Sequence, residues 1–234
     1  NGCTALSATS STATSINPAP VITFTAQPGA GVCAEENVTY TTQSGMSSYA
    51  WVFPGVLNTD YTITSGGTGS DQSATLKYKT TGGKVVTVNY ADLTGCTAFT
   101  PKSSTSTTVN SLPNVSFTAQ PGANACISSN VTYTTQTGMT SYQWTIPGVL
   151  NTDYTITTGG TTSDNSVTVK YLTSGNKTVT VNYTNGNGCS ALTPASSTPT
   201  NVHSLPAVSF TAQPGAGPAC AGINVTYTTQ SGMG

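Results

Sequence analysis

The residues best suited to chemistry in this 234-residue chain are six cysteines, a single histidine and seven carboxylates. The cysteines fall at 3, 33, 96, 126, 189 and 220. Cys33 and Cys96 are therefore 63 residues apart, as are Cys126 and Cys189, and equivalent positions recur after 93. That spacing predicts the bridges Cys33 with Cys96 and Cys126 with Cys189, leaving Cys3 and Cys220 unpaired within the segment. Free buried thiols are the alternative. Metal ligation is disfavoured, because no Cys-x-x-Cys occurs and only His203 could supply an imidazole. Closing a loop of that length is worth about 4 kcal/mol in the chain-entropy model. Paired cysteines would place the protein in an oxidising, extracellular or cell-surface compartment.

The remaining candidates read more simply as architecture. His203 stands where the equivalent segments carry Asn17 and Asn110, so it reads as a solvated linker residue and offers no recurring nucleophilic dyad. Among the acids, only Asp60 with Asp153 and Asp71 with Asp164 recur at equivalent positions. Paired carboxylates or a weak calcium site are conceivable there, but each Asp follows a turn-forming stretch that explains it more cheaply. SGGTGSD and TTGGK lack the Gly-x4-Gly-Lys-Ser/Thr pattern of a phosphate cradle and read as hairpin loops. Asn37, Asn114, Asn130, Asn176, Asn182 and Asn224 match N-x-S/T, a pattern that Thr-rich strands produce by coincidence. Lys77, Lys79, Lys84, Lys170 and Lys177 read as outward charges that discourage edge-to-edge pairing. No catalytic, cofactor-binding or metal-binding residue is assigned, and no enzyme activity is expected.

The elements that must position these residues are repeats. Tyr49 to Ser65, YAWVFPGVLNTDYTITS, returns as Tyr142 to Thr158, YQWTIPGVLNTDYTITT, with thirteen of seventeen positions identical. Each copy holds one of the two tryptophans. Tyr49, Trp51 and Phe53 alternate with Ala50 and Val52, the period-two signature of a strand with one buried face. Tyr49, Trp51, Tyr142 and Trp144 are thus core anchors. The same alternation puts Ile22, Phe24 and Ala26 inward on a first strand, then Val38, Tyr40 and Thr42, then the Trp strand, then Tyr61 and Ile63. Ala74, Leu76 and Tyr78 follow on a fifth strand and Val86, Val88 and Tyr90 on a sixth. A seventh begins near Cys96 and runs into a Ser/Thr-rich ribbon. Seven short strands divided by Gly, Pro, Asn and Asp turns fit an all-β two-sheet sandwich, with a barrel as the weaker alternative.

The expected domains are 1–19, the last strand of a preceding truncated repeat; 20–112 and 113–205, two whole repeats; and 206–234, the start of a third. Incomplete repeats at both ends read as a window on a longer repetitive chain. Only 6% of residues are charged and arginine is absent, whereas soluble domains average about 25% charge. Nothing in that balance suits nucleic acid or an anionic membrane surface. No apolar run reaches the roughly 18 residues that a membrane span needs.

The ordered set Cys, VTYTT, SYxWxxPG, YTITSGG, a TVxY-type strand, VTVNY and Gly-Cys resembles the PKD-like, immunoglobulin-related repeats strung in tandem through very large surface adhesins of Bacteroidota, including gliding-motility adhesins of the SprB type. The resemblance spans the whole chain. It implies tandem Ig-like sandwiches forming an extended rod, exported by the type IX route, with no catalytic residues and no cofactor. Pro-Gly replaces the acidic Asp-Gly that usually follows the Trp strand in enzyme-appended relatives, which argues against such a role. The expected function is a stalk or spacer in a secreted surface adhesin, whose partners are neighbouring repeats. A glycan- or protein-binding module is one alternative, contacting its ligand through positions 50, 52 and 127–129. A filament of several self-assembled chains is another.

Overall fold

The computed structural model describes residues 3, 7 and 9–231. Every regular element among them is a strand, and the chain divides into two compact units, Asn1–Leu112 and Pro113–Gly234. The protein is all-β, built of tandem Ig-like sandwiches.

In the first unit the strands are β1 (Phe24–Ala26), β2 (Gly31–Cys33), β3 (Asn37–Thr42), β4 (Ser47–Val52), β5 (Tyr61–Gly66), β6 (Ser73–Tyr78), β7 (Gly82–Lys84), β8 (Thr87–Ala91), β9 (Lys102–Ser103) and β10 (Thr107–Asn110). One layer has the order β1-β3-β6-β5; the other is formed by β2-β10-β7 and β4-β8-β9. This is the ABED and CFG pairing of a constant-type immunoglobulin sandwich. Three of the seven expected strands are each broken in two. The first divides at Pro28-Gly29, and its second half, β2, crosses layers to run parallel to β10. The sixth bends between β7 and β8. The TTGGK segment is therefore not only a loop, since β7 pairs antiparallel with β10.

Alternation decides which side chains fill the space between the layers. Val38, Tyr40, Leu76, Tyr78, Val86 and Val109 form one buried cluster, with Trp51 and Phe53 packed against it. Ile22, Tyr49, Val88 and Tyr90 form a second. Two expected inward residues, Ala26 and Ile63, are exposed, because β1 is too short to keep its face covered and β5 is a sheet edge whose register shifts at Ile63. Ser48 adopts φ 53° inside a register shift of β4, a bulge that re-aims the Tyr49 and Trp51 side chains.

The second unit repeats this order in β11 (Phe117–Ala119), β12 (Asn124–Cys126), β13 (Asn130–Thr135), β14 (Thr140–Thr145), β15 (Tyr154–Gly159), β16 (Ser166–Tyr171), β17 (Gly175–Lys177), β18 (Thr180–Thr184), β19 (Ala195–Ser196) and β20 (Thr200–His203). Its layers are β11-β13-β16-β15 on one side and β12-β20-β17 with β14-β18-β19 on the other. A further hairpin joins β21 (Phe210–Ala212) to β22 (Thr228–Thr229). Of the strand expected in residues 1–19, positions 1, 2, 4–6 and 8 lie outside the described residues, and 9–19 form no strand.

Each sandwich has two poles. β3 starts where the chain leaves the unit: Ala34 N–H donates to Asn110 O at 2.9 Å and Glu35 N–H to Tyr78 O at 2.8 Å. It ends where the chain arrives, with Thr42 Oγ1 donating to Thr23 O at 2.7 Å and Gln43 Nε2 to Val21 O at 3.1 Å. We call these the C-pole and the N-pole.

Candidate functional site

Tyr49 and Tyr142 are buried, and their hydroxyls donate to Gln43 O at 2.7 Å and Gln136 O at 2.8 Å. Trp51 and Trp144 are half-buried, each indole N–H donating across the layer to a carbonyl, Asp71 O and Asp164 O, at 2.9 Å. A polar tip satisfied by backbone and a ring facing the core is how a buried tryptophan is normally accommodated. Behind them two tyrosine pairs share hydroxyls, Tyr40 with Tyr78 at 3.1 Å and Tyr133 with Tyr171 at 3.2 Å. Burial, reinforced by the partner hydroxyl, pushes Tyr78 and Tyr171 far above the ordinary phenol range. Burial also raises Tyr90 and Tyr183.

The recurring carboxylates close turns. Asp60 Oδ2 accepts from Val56 N–H at 2.7 Å and Asp153 Oδ2 from Val149 N–H at 2.8 Å. Gly55 and Gly148, at φ 96° and 102°, leave the room this needs, since a Cβ there would lie 2.6 Å from the Asp Cβ. The Thr68 hydroxyl and amide hold Asp71 below the usual carboxylate range, and Thr161 does the same for Asp164. No group of three or more His, Cys, Asp or Glu side chains with metal-site geometry occurs among the described residues. His203 is not in a linker: it ends β20, exposed, with Nε2 2.9 Å from Asn124 Oδ1. Lys84 and Lys177 lie over the Tyr78 and Tyr171 rings at 5.7 and 5.6 Å, so these two cover the aromatic core as well as carrying charge.

The cysteines overturn the expected pairing. Cys33 and Cys189 are disulfide-bonded, whereas Cys96 and Cys126, like Cys3 and Cys220, carry free thiols. Neither Cys33–Cys96 nor Cys126–Cys189 forms. The reason is positional. Cys33 ends β2 at the C-pole, in register with Asn110. Cys96 closes the turn after β8, where Ala91 bridges Thr97 and also pairs with Ser47 at the start of β4, which is the N-pole. A groove of about 370 Å³ lined by residues 19–22 and 98–102 confirms that the segment after Cys96 lies against the arriving chain. The six residues of β3 alone separate the poles by about 20 Å, and a cystine needs Cα atoms within about 7 Å. The second unit has the same arrangement, Cys126 in register with His203 and Cys189 after β18.

Cys33, Cys126 and Cys220, and likewise Cys96 and Cys189, are held by turns whose construction recurs. At the C-pole, Glu36 N–H donates to Cys33 O and Ser129 N–H to Cys126 O, at 3.3 and 3.2 Å, with Glu35 and Ser128 at φ 63° and 65°. Ile223 N–H donates to Cys220 O in the same way at 3.2 Å, and there the left-handed position is Gly222, φ 87°, the residue that conformation favours. At the N-pole, Asp92 Oδ1 accepts from Cys96 N–H at 3.0 Å and Asn185 Oδ1 from Cys189 N–H at 3.1 Å. Those two positioning residues escaped the sequence reading because an Asp facing an Asn does not register as a repeated acid. The Thr94 side chain and neighbouring amides hold Asp92 below the usual carboxylate range.

Comparison with known proteins gives one family match and several solved structures of low similarity. No curated protein sequence matches the chain. The solved D00-D0 domain of intimin is 13% identical, with a TM-score of 0.35 over 78% of this chain and 100% of that one. The fibronectin(III)-like modules of Clostridium thermocellum CbhA are 16% identical, with 0.37 over 79% and 95%. FdeC, an Escherichia coli adhesin, is 15% identical, with 0.33 over 78% and 63%. No residue role is carried over from them. Residues 113–197, most of the second repeat, match the family model of the PKD-like domain.

Proposed function

We propose that the chain is a run of spacer repeats in a secreted cell-surface protein of the adhesin type, serving adhesion or gliding, with whole repeats at 20–112 and 113–205. The observation that carries this reading is that, among the described residues, the recurring tryptophans and carboxylates are used internally. The tryptophans bond Asp71 O and Asp164 O, and the carboxylates close their own turns. What repeats is architecture, and a repeated sandwich extends a chain by adding units of similar intrinsic stability. Export by the type IX route follows from the motif resemblance alone and stands or falls with it.

A second reading rests on one outward feature that also recurs. Val56 and Val149 are 63% and 62% exposed, and the leucines that follow them are also open to solvent. An apolar loop presented in both copies suits contact with a protein ligand. Two changes in the intact protein on its producing cell separate the readings. Deleting 113–205 should retain ligand attachment at a reach shortened by one repeat, and V56S/L57S with V149S/L150S should leave attachment unchanged. Attachment lost in the serine variant would overturn the spacer reading in favour of the binding module.

A further inference from the structure

We propose that the second unit carries a binding site for a soft monovalent metal, the cuprous ion, formed by the Cys126 thiolate and the His203 imidazole. Both residues belong to one sheet of that unit. Strands β12 and β20 run parallel with Cys126 in register with His203, and Ile127 N–H donates to His203 O at 2.9 Å, which fixes the two backbones side by side. Neighbouring strands lie about 4.8 Å apart, and side chains alternate between faces along each. Val202 is buried and Ala125 packs on the core, so the positions beside them, Asn124, Cys126 and His203, share the outer face. Cys126 and His203 are both exposed, and Cys126 carries a free thiol.

The imidazole is already oriented. Asn124 Oδ1 lies 2.9 Å from His203 Nε2. A carboxamide oxygen only accepts, so Nε2 holds the proton and Nδ1 keeps its lone pair. Asn201 Nδ2 approaches the same nitrogen at 3.4 Å, too long to compete. A metal-ligating histidine characteristically has its other ring N–H held by an oxygen in this way. The first repeat lacks the set: Gly31 stands in place of Asn124 and Asn110 in place of His203. The imidazole and the side chain that orients it therefore occur together, beside the free Cys126, whereas the equivalent Cys33 is disulfide-bonded.

The donor set selects the metal. A thiolate with an imidazole suits soft and borderline ions. Zinc sites take at least three protein ligands, and no third His, Cys, Asp or Glu completes such a group among the described residues. Cuprous ion is satisfied by two donors, one sulfur and one nitrogen. Binding releases the thiol proton to water, so the bound pair of thiolate and monovalent cation carries no net charge.

The test uses the 234-residue chain in the absence of oxygen, titrated to saturation with cuprous ion supplied as its acetonitrile complex. His203 is the sole imidazole in the chain, so its ring resonances report the site directly. They should shift in the wild type and stay in place in C126S and C126A. Alkylation of Cys126, read by peptide mapping, should slow by about tenfold or more when the ion is added. That protection should vanish in H203N, which introduces the side chain the first repeat already carries at Asn110. An unchanged Trp144 indole N–H resonance in the variants guards against a folding defect. An imidazole shift that persists in the folded Cys126 variants, equal protection of Cys126 in folded H203N, or no shift in the wild type would each overturn the proposal.

Discussion

The two repeats share much of their interior geometry but differ at several packing positions, Phe53 and Ala74 among them, and in which cysteine is bonded. The Trp indole bonds are 2.9 Å in both, and Tyr49–Tyr90 and Tyr142–Tyr183 ring centroids are both 5.7 Å apart. Against that constancy, Phe53 stacks on Trp51 at 6.3 Å and 3°, whereas Ile146 takes its place in the second repeat. Ala74 is matched by Val167. Both first-repeat residues approach one point: a Cβ on Gly67 would sit 3.5 Å from Ala74 Cβ and 3.6 Å from Phe53 Cζ. The smaller side chain at 146 stands with the larger one at 167, an exchange of opposite sign at two neighbouring positions. A core tolerates such paired exchange because density matters more than the identity of either member. The cysteines obey no such local compensation. Their state differs between the sandwiches: Cys33 is bonded where Cys126 is free, and Cys189 is bonded where Cys96 is free.

The packing comparison makes the strongest prediction. A74V should destabilise the first repeat by about 1–3 kcal/mol through overpacking against Phe53, and F53I/A74V should return it to within about 1 kcal/mol of wild type. A double-mutant cycle read by chemical denaturation measures the coupling; a coupling energy near zero would dismantle the compensation just described.

Alkaline titration sharpens the likeness. Tyr78 and Tyr171 keep their protons in the folded state well above pH 10, while the unfolded chain releases them near 10. The unfolded state then binds fewer protons, so stability is intact below about pH 10 and falls above it. The slope is at most about 1.4 kcal/mol per pH unit per tyrosine, reduced where water screens the site. Both repeats should lose stability alike, and Y78F should flatten the alkaline limb of the first alone. Indole N–H resonances, one per repeat, report each sandwich separately.

The smallest effect concerns acid. Asp92 is held below the ordinary carboxylate range, so its contribution is present above about pH 4 and is lost as pH falls through the folded value. Asn185 cannot titrate. The first repeat should therefore have the higher acid midpoint, and D92N should move it towards that of the second; an unchanged difference would assign the asymmetry elsewhere.

Inner faces were legible in the sequence because side chains report them. Val38, Tyr40, Thr42, Leu76, Tyr78, Val86, Val88 and Tyr90 are all buried as alternation requires. β7 was hidden because Gly82 and Gly83 have no side chain with which to show a period. The cysteine error had a readable antidote. In a sandwich of alternating strands the second and sixth run the same way, so a residue before one and a residue after the other lie at opposite ends. Spacing alone gave a loop length and ignored direction.

The polar placement of the thiols bears on any attempt to handle a repeat in isolation. A single sandwich excised at its linkers is a bifunctional monomer, with one sulfur at each pole. Under mild oxidation such molecules would undergo step-growth polymerisation, giving reducible oligomers whose ladder on a gel reflects the cut and not any native association.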